Sequence, residues 1–119
     1  MAYVDGFLTP LSKRKIAEYR RIARIAGKVW REHGALEYRE CIGDDLKVNG
    51  MASFPKRAGA KAGETVVFSW VVYKSKAHRD RVVAKVMSDP RLVGLSDPKN
   101  SPVDLRRMAY GGFKVLVDL

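Results

Sequence analysis

Two side chains in this chain could carry acid–base chemistry, and they stand far apart in the sequence. Asp5 interrupts the apolar stretch YVDGFL, and His78 follows Ser75 by three positions. A carboxyl group in an apolar site can act as an acid, and a neutral imidazole can act as a base. Asp5 and His78 are therefore the catalytic candidates. A capping or surface role on a helix is the alternative for His78.

Asp5 needs a partner if its strand is covered, because burying an unpaired charge is costly. We expect Arg39 or Arg107 to pair with it. Such a pair would either specify the contact between two copies of the chain or hold a catalytic acid. The first interpretation is favoured.

Three aromatic residues are candidates for lining a ligand pocket: Tyr38, Trp70 and Tyr110. Tyrosine and tryptophan combine a large apolar body with a polar group that needs a partner when it is buried. The pocket would lie between sheet and helices or at the seam of a dimer. Packing in the core is the alternative for each of the three.

The sequence predicts no metal site and no cofactor. His33 and His78 are far apart, Cys41 is the one cysteine, and no spacing suits zinc. A structural role is expected for His33, since a cation is favoured at the end of a helix. No phosphate-binding loop or dinucleotide fingerprint occurs.

The chain is strongly basic, with 23 Lys and Arg against 13 Asp and Glu and a net charge of +10. Such an excess attracts anions, nucleic acid and acidic partners. The candidates for anion binding lie on one side of the first predicted helix: Arg20, Arg21, Arg24, Lys28 and Arg31. An ordinary solvated helix face is the alternative. No aromatic residue interrupts this face to stack on bases, so nucleic acid is not the expected partner.

The first half of the chain predicts strand, helix, strand. Residues 2–9 alternate like a strand, residues 13–33 have helical periodicity after a Ser12 cap, and residues 35–43 alternate again. Gly34 is expected to end the helix. Residues 44–63 are interpreted as a long loop or an extended hairpin arm.

The second half predicts strand, helix, strand. Residues 64–74 are β-branched and aromatic on both faces, which indicates burial on both sides. A helix over 76–87 follows, capped by Ser75, and then a proline-containing loop leads to a strand near 107–118.

This order is that of a single α+β domain over residues 1–119 with the ferredoxin-like βαββαβ fold. Both helices should cover one face of a four-stranded antiparallel sheet. The opposite face would be apolar and uncovered, which favours a homodimer with sheet packed against sheet. Asp5 is expected on that seam.

An RNA-recognition motif shares the topology, and AYVDGF imitates its first strand. Its third strand should contain a basic residue, glycine and two aromatic residues in a set order. Here the third strand is TVVFSWVVY, without glycine or a basic residue. This pattern argues against base stacking on the sheet.

Four segments together resemble one family: YVDGF, VWREHGALEYRECIGDD, SFPKRAGAKAGETVVFSWVVYKSKAHRDRVVAKVMSDPR and YGGFKVLVDL. They are similar to the YbaA-like family of small bacterial proteins, a domain of unknown function in the dimeric α/β-barrel superfamily. The resemblance implies two ferredoxin-like units with paired sheets. It implies no established activity.

The expected function is therefore binding of a small organic ligand in a pocket of each subunit of a dimer. A cofactor-independent oxygenase or isomerase, as found in the superfamily, is one alternative. Anion or nucleic-acid binding through the basic helix face is the other. The single cysteine and the lack of a signal or membrane-spanning run favour a cytoplasmic location.

Overall fold

The computed structural model describes residues 1–95, 97–99 and 101–119. Its strands are β1 (Tyr3–Ser12), β2 (Glu37–Ile42), β3 (Glu64–Tyr73) and β4 (Ala109–Lys114). Its helices are α1 (Ile16–Glu32), α2 (Phe54–Ala58), α3 (Lys76–Met87) and α4 (Pro90–Leu95). Short 3-10 turns at Lys13–Lys15 and Leu105–Arg107 precede α1 and β4.

The four strands form one antiparallel sheet in the order β2–β3–β1–β4. Sequential strands β1 and β2 are thus separated by β3, which is the split arrangement of the ferredoxin-like fold. The predicted fold is confirmed. Strands β2 and β4 are the two edges of the sheet.

The hydrophobic core lies between one face of the sheet and the helices α1 and α3. Val71 and Tyr73 of β3 pack there against Val29 of α1 and Val82 of α3. Since Asp5 is the register partner of Val71, the odd-numbered residues of β1 face this helix layer.

The helix ends follow the predicted capping chemistry. Ser75 accepts a hydrogen bond from the backbone N–H of His78 at 3.1 Å, and α3 spans the predicted residues 76–87. Ser12 accepts one from the N–H of Arg14, although the first turn is a 3-10 turn rather than α-helix. Gly34 has a φ of +117°, the left-handed region in which a chain leaves a helix.

Two short helices lie where loops were predicted. Helix α2 forms within residues 44–63, where the Ser53 hydroxyl accepts a hydrogen bond from the backbone N–H of Lys56 and Pro55 lies in the first turn. Gly59 ends this helix at a φ of 70°. Helix α4 begins at Pro90, directly after α3. Strand β4 is shorter than the predicted 107–118 at both ends: a 3-10 turn occupies its expected start, and residues 115–118 lie beyond its last residue, Lys114.

In the described part of the chain, no long helix covers the opposite face of the sheet. The apolar and aromatic residues on it are Val4, Leu8, Phe68, Trp70, Val72 and Phe113. Phe54 of α2 packs against this face, and the centre of its ring lies 5.9 Å from that of Phe68. We call this surface the open face.

Candidate functional site

A carboxylate held by three hydroxyl groups lies beneath α1. Glu40 of β2 accepts hydrogen bonds at Oε1 from the Tyr19 hydroxyl, at 2.7 Å, and from the Ser69 hydroxyl. Its Oε2 accepts one from the Tyr38 hydroxyl at 2.6 Å. Helix α1 contributes Tyr19, β2 contributes Tyr38 and Glu40, and Ser69 is the register partner of Glu40 on β3.

The tyrosines of this cluster are held in their protonated, donating form. Burial, reinforced by the charge of Glu40, raises the pKa of Tyr19 and of Tyr38 well above the ordinary value. A carboxylate offers about four acceptor positions, so three donors leave the Glu40 carboxylate able to accept one more hydrogen bond.

The cluster forms part of the wall of a cavity between the sheet and the helices α1 and α4. The cavity has a volume of about 370 Å³. We call it the inner cavity. Its lining is mainly apolar and includes Ile22, Ala26, Trp30, Val71, Leu92 and Val93. Small-molecule sites combine an apolar lining of this kind with a few placed polar groups.

A second depression runs along the other side of α1, between this helix and the edge strand β2. It has a volume of about 640 Å³. We call it the α1–β2 groove. Four of the predicted anion-binding residues line it, namely Arg20, Arg24, Lys28 and Arg31. The fifth, Arg21, does not.

Asp5 lies beneath the helices rather than on the open face, so the expected position on a dimer seam is wrong. Its partner is Arg79 of α3, whose Nη1 donates to Asp5 Oδ1 at 2.8 Å. Arg39 instead bonds Glu37, and Arg107 bonds Glu64. The alternation along β1 turns Asp5 toward α3, which the expected pairing did not take into account.

Tyr110 completes a closed cluster around Asp5. Its hydroxyl donates to Asp5 Oδ1 at 3.0 Å and accepts from Nη1 of Arg79 at 2.7 Å. The guanidinium of Arg79 also lies 5.0 Å from the centre of the Tyr3 ring. The cluster is a satisfied ion pair in the core, which favours a structural role for Asp5.

His78 is held by a hydrogen bond from the backbone and is not paired with Asp5. Its Nδ1 accepts a hydrogen bond from the backbone N–H of Lys74 at 3.0 Å. Partial burial, and then the positive charges of Lys74 and two further basic residues, lower the pKa of His78. No hydrogen bond joins His78 to Asp5 among the residues described.

His33 has a structural position, as expected. Its Nε2 lies 2.9 Å from Oδ2 of Asp89, which also accepts a hydrogen bond from Arg91. The hydrogen bonds from Arg91 and His33 keep the pKa of Asp89 well below its ordinary value. This cluster ties the end of α1 to the start of α4.

The three aromatic candidates for a pocket do not meet in one place. Tyr38 lines the inner cavity and the α1–β2 groove, whereas Trp70 and Tyr110 border a third, shallow hollow. Trp70 stands on the open face, while Tyr110 is the register partner of Phe7 and directs its hydroxyl to Asp5. The Trp70 indole N–H donates to Oε1 of Glu37 at 3.0 Å. Its ring lies 5.7 Å from that of Phe68.

Sequence reasoning missed Glu40, Tyr19 and Ser69 as site residues. One signal was available, because Glu40 shares a strand face with Tyr38 and Ile42 and is the charged residue on a face that is otherwise apolar. The contacts of Tyr19 and Ser69 with Glu40 could not be predicted from the sequence, since these residues are 21 and 29 positions away from Glu40.

Two other kinds of feature are absent from the described residues. No group of three or more His, Cys, Asp or Glu side chains could hold a metal ion there. Within the same residues, no helix has the length and apolar character needed to cross a membrane.

Comparison with known families identifies the chain's relatives. The family described as "Protein of unknown function (DUF1428)" matches residues 2–105. This chain belongs to the DUF1428 family. It is 39% identical over 118 residues to "Uncharacterized protein YbaA" of Escherichia coli (strain K12), covering 99% of both chains. The protein of the same name in Shigella flexneri matches equally well.

Solved structures similar to this DUF1428 protein support the fold. An uncharacterised NIPSNAP domain protein from Burkholderia xenovorans aligns with a TM-score of 0.56 at 13% identity, over 95% of this chain and 93% of its own. A dimeric ferredoxin-like protein from an uncultured marine organism aligns with a TM-score of 0.55 at 14% identity, over 100% of both chains.

Proposed function

We propose that this DUF1428 protein is a homodimer in which each subunit binds one small organic molecule in the inner cavity. The observation that carries this proposal is the hydroxyl-held carboxylate of Glu40 in the wall of an otherwise apolar cavity. A polar group at that position would orient a ligand, and the apolar lining would supply affinity.

The size of the inner cavity limits the ligand. Its volume of about 370 Å³ lies near the lower end of the range for small-molecule sites, which is about 300–1,000 Å³. A molecule of one or two rings fits that space better than a nucleotide. The adjoining rings of Trp30 and Tyr38, 5.8 Å apart, offer aromatic contacts to it.

The chemistry of Glu40 sets the polar end of the ligand. Its carboxylate has one acceptor position left after Tyr19, Tyr38 and Ser69 have donated. A ligand with a hydroxyl or N–H donor beside an apolar body would complete its hydrogen bonding. A ligand with an acidic group would meet a like charge at that point.

The open face supports the dimer. Phe68 and Phe113 are 45% and 61% exposed there, beside the indole of Trp70. Contiguous apolar surface on a sheet is rarely left in water and usually marks an interface. One solved structure with this fold is a dimeric ferredoxin-like protein. Pairing of two open faces would bury these rings.

Ligand binding is tested with p-cresol and toluene, which share a ring and differ by one hydrogen-bond donor. Saturation-transfer NMR on the full chain should detect p-cresol binding, with toluene weaker. Glu40→Gln should lower the affinity for p-cresol by about tenfold, as expected for the loss of a hydrogen bond to a charged group. Ala26→Phe, which adds a ring at a buried position of the cavity wall, should abolish binding of both compounds.

Glu37→Gln is the matched control, because Glu37 lies on the same strand but contacts the open face through Trp70. Its affinity for p-cresol should equal that of the wild type. Absence of p-cresol binding, or binding that Ala26→Phe does not change, would contradict a site in the inner cavity.

The dimer is tested by sedimentation velocity. Phe68→Glu should shift the protein toward a monomer, because a charge on the open face cannot be buried at low cost. Met87→Glu is the control: Met87 is 55% exposed but belongs to α3, in the helix layer. A monomeric wild type at micromolar concentration would contradict the proposal.

A further inference from the structure

We propose that the α1–β2 groove is a second binding site, which takes an amphipathic anion: a small molecule with one acidic group and an apolar chain. This inference goes beyond the proposed function, because the groove lies on the other side of α1 from most of the inner cavity. The two spaces share only the wall formed by Tyr19, Ala23, Tyr38 and Glu40.

The floor of the groove is apolar. Leu11 of β1 and Val67 of β3 form its base and are 1% and 2% exposed, so the base belongs to the core. Ile16 and Ile42 continue this surface toward solvent, with Ile42 46% exposed. An acyl chain or a similar apolar body laid along this floor would be removed from water.

The rim of the groove is cationic. Arg20, Arg24 and Lys28 follow one another at four-residue intervals on α1, which places them on one side of the helix over about 12 Å. None of the three has a carboxylate within ion-pair distance in the described part of the chain. By contrast, Arg79 and Arg107 each hold an ion pair.

Arg31 closes the end of this row. Its Nη1 donates to the backbone carbonyl oxygens of Ala35, at 3.2 Å, and Leu36. These bonds hold the guanidinium beside β2, so one cation of the groove is already ordered before a ligand arrives. Ordered donors bind an anion at a smaller entropic cost than free side chains do.

Glu40 fixes the direction in which a ligand would lie. Its carboxylate is in the inner wall of the groove, among hydroxyl donors, and would repel an acidic group there. The acidic group therefore stays at the rim of arginine and lysine, and the apolar part follows the floor. A nucleic acid would leave this floor unused, and the rim offers no aromatic ring for base stacking.

The site is tested by calorimetric titration of the full chain with decanoate. Butyrate and inorganic phosphate serve as comparison probes. Decanoate should bind at least about tenfold more tightly than butyrate, because each buried methylene adds to the affinity. Inorganic phosphate should not bind measurably. Arg24→Glu should lower the affinity for decanoate by at least about tenfold, because it removes a charge-assisted contact and introduces a like charge.

Arg21→Glu is the matched control, since it makes the same charge change on α1 outside the groove. Its affinity for decanoate should fall clearly less than that of Arg24→Glu, because the Arg21 side chain lies outside the groove and acts on the ligand only through screening solvent. An equal loss in both variants would mean attraction to the whole basic surface and would overturn the site. Absence of decanoate binding would do the same.

Two further outcomes would overturn the proposal. Displacement of decanoate by saturating p-cresol would mean that the inner cavity and the groove are one site. Binding of a mixed-sequence 20-nucleotide RNA, weakened alike by Arg21→Glu and Arg24→Glu, with no binding of decanoate, would assign the basic face to nucleic acid.

Discussion

Removal of the Arg79 side chain tests how the core tolerates Asp5. Asp5 is 1% exposed, and Arg79 supplies its charged partner at 2.8 Å. In Arg79→Ala the carboxylate would keep hydrogen bonds from neutral tyrosine hydroxyls, that of Tyr110 among them. The variant therefore leaves a buried charge without its countercharge.

The structure supports a large magnitude for this change. Breaking a buried ion pair by removing one partner typically costs about 3–5 kcal/mol. Since the Arg79 side chain is still 15% exposed, we expect the lower end, about 3 kcal/mol at neutral pH. Asp5→Ala should cost less, because Arg79 keeps Asp80 as a partner and can reach water.

The measurement is urea unfolding followed by tryptophan fluorescence, at one protein concentration because a dimer's stability depends on concentration. Arg106→Ala is the control: Arg106 pairs with Asp104 at the surface, where both side chains are exposed. Its free energy of unfolding should match wild type. If Arg79→Ala costs no more than Arg106→Ala, or costs less than Asp5→Ala, the reasoning is refuted. If the alanine variant does not fold, the free energy of unfolding of Arg79→Lys is measured in its place.

Three further predictions concern α1 and the sheet. Gly27→Ala should lower the free energy of unfolding, measured by urea unfolding, by about 1 kcal/mol, because an added Cβ would lie 2.8 Å from Cδ1 of Tyr38. Thr9→Val should raise the free energy of unfolding by up to about 1 kcal/mol in the same assay, since the buried Thr9 Oγ1 has no partner in the part described. Glu64→Gln should reduce the loss of stability at acid pH, measured by urea unfolding at several pH values. Hydrogen bonds from Arg107 lower the pKa of Glu64 from 4.5 to about 2, so its contribution is present above pH 4.5 and lost as the pH falls toward 2.

Each of these predictions has its own comparison. Gly94→Ala is the control for Gly27, because a Cβ at Gly94 of α4 meets no atom within 4 Å. Thr9→Ser retains the hydroxyl and should not raise the free energy of unfolding. Asp118→Gln is the acid control, at an exposed position near the end of the chain. Equal pH profiles for Glu64→Gln and the wild type would contradict the cause given for the low pKa.

The order of strands and long helices was readable from the chain, because it depends on local signals. The two-sided apolarity of residues 64–74 indicated the strand between β1 and β2, and Ser75 marked the start of α3 to the residue. Such signals need only near neighbours and the period of the side chains. The short helices α2 and α4 were missed because five or six residues give too little periodicity.

The candidate site was only partly readable. Tyr38 and the basic residues of α1 were identified by type and period, and Tyr38 and four of the five basic residues line the groove. Glu40 was not identified as a site residue, because two of its donors, Tyr19 and Ser69, come from other elements. Asp5 was assigned the wrong arginine because both expected partners were chosen without knowing which face of the sheet α3 would cover.

The sequence by itself determined the element order, the basic stripe of α1 and the two apolar faces of β3. These properties follow from residue type and local period, which act over a few positions. Only the tertiary structure decided that Arg79 pairs with Asp5 and that three hydroxyl groups converge on Glu40. Those contacts depend on sheet register and on the packing of α1 and α3 over one face, which bring together side chains distant along the chain.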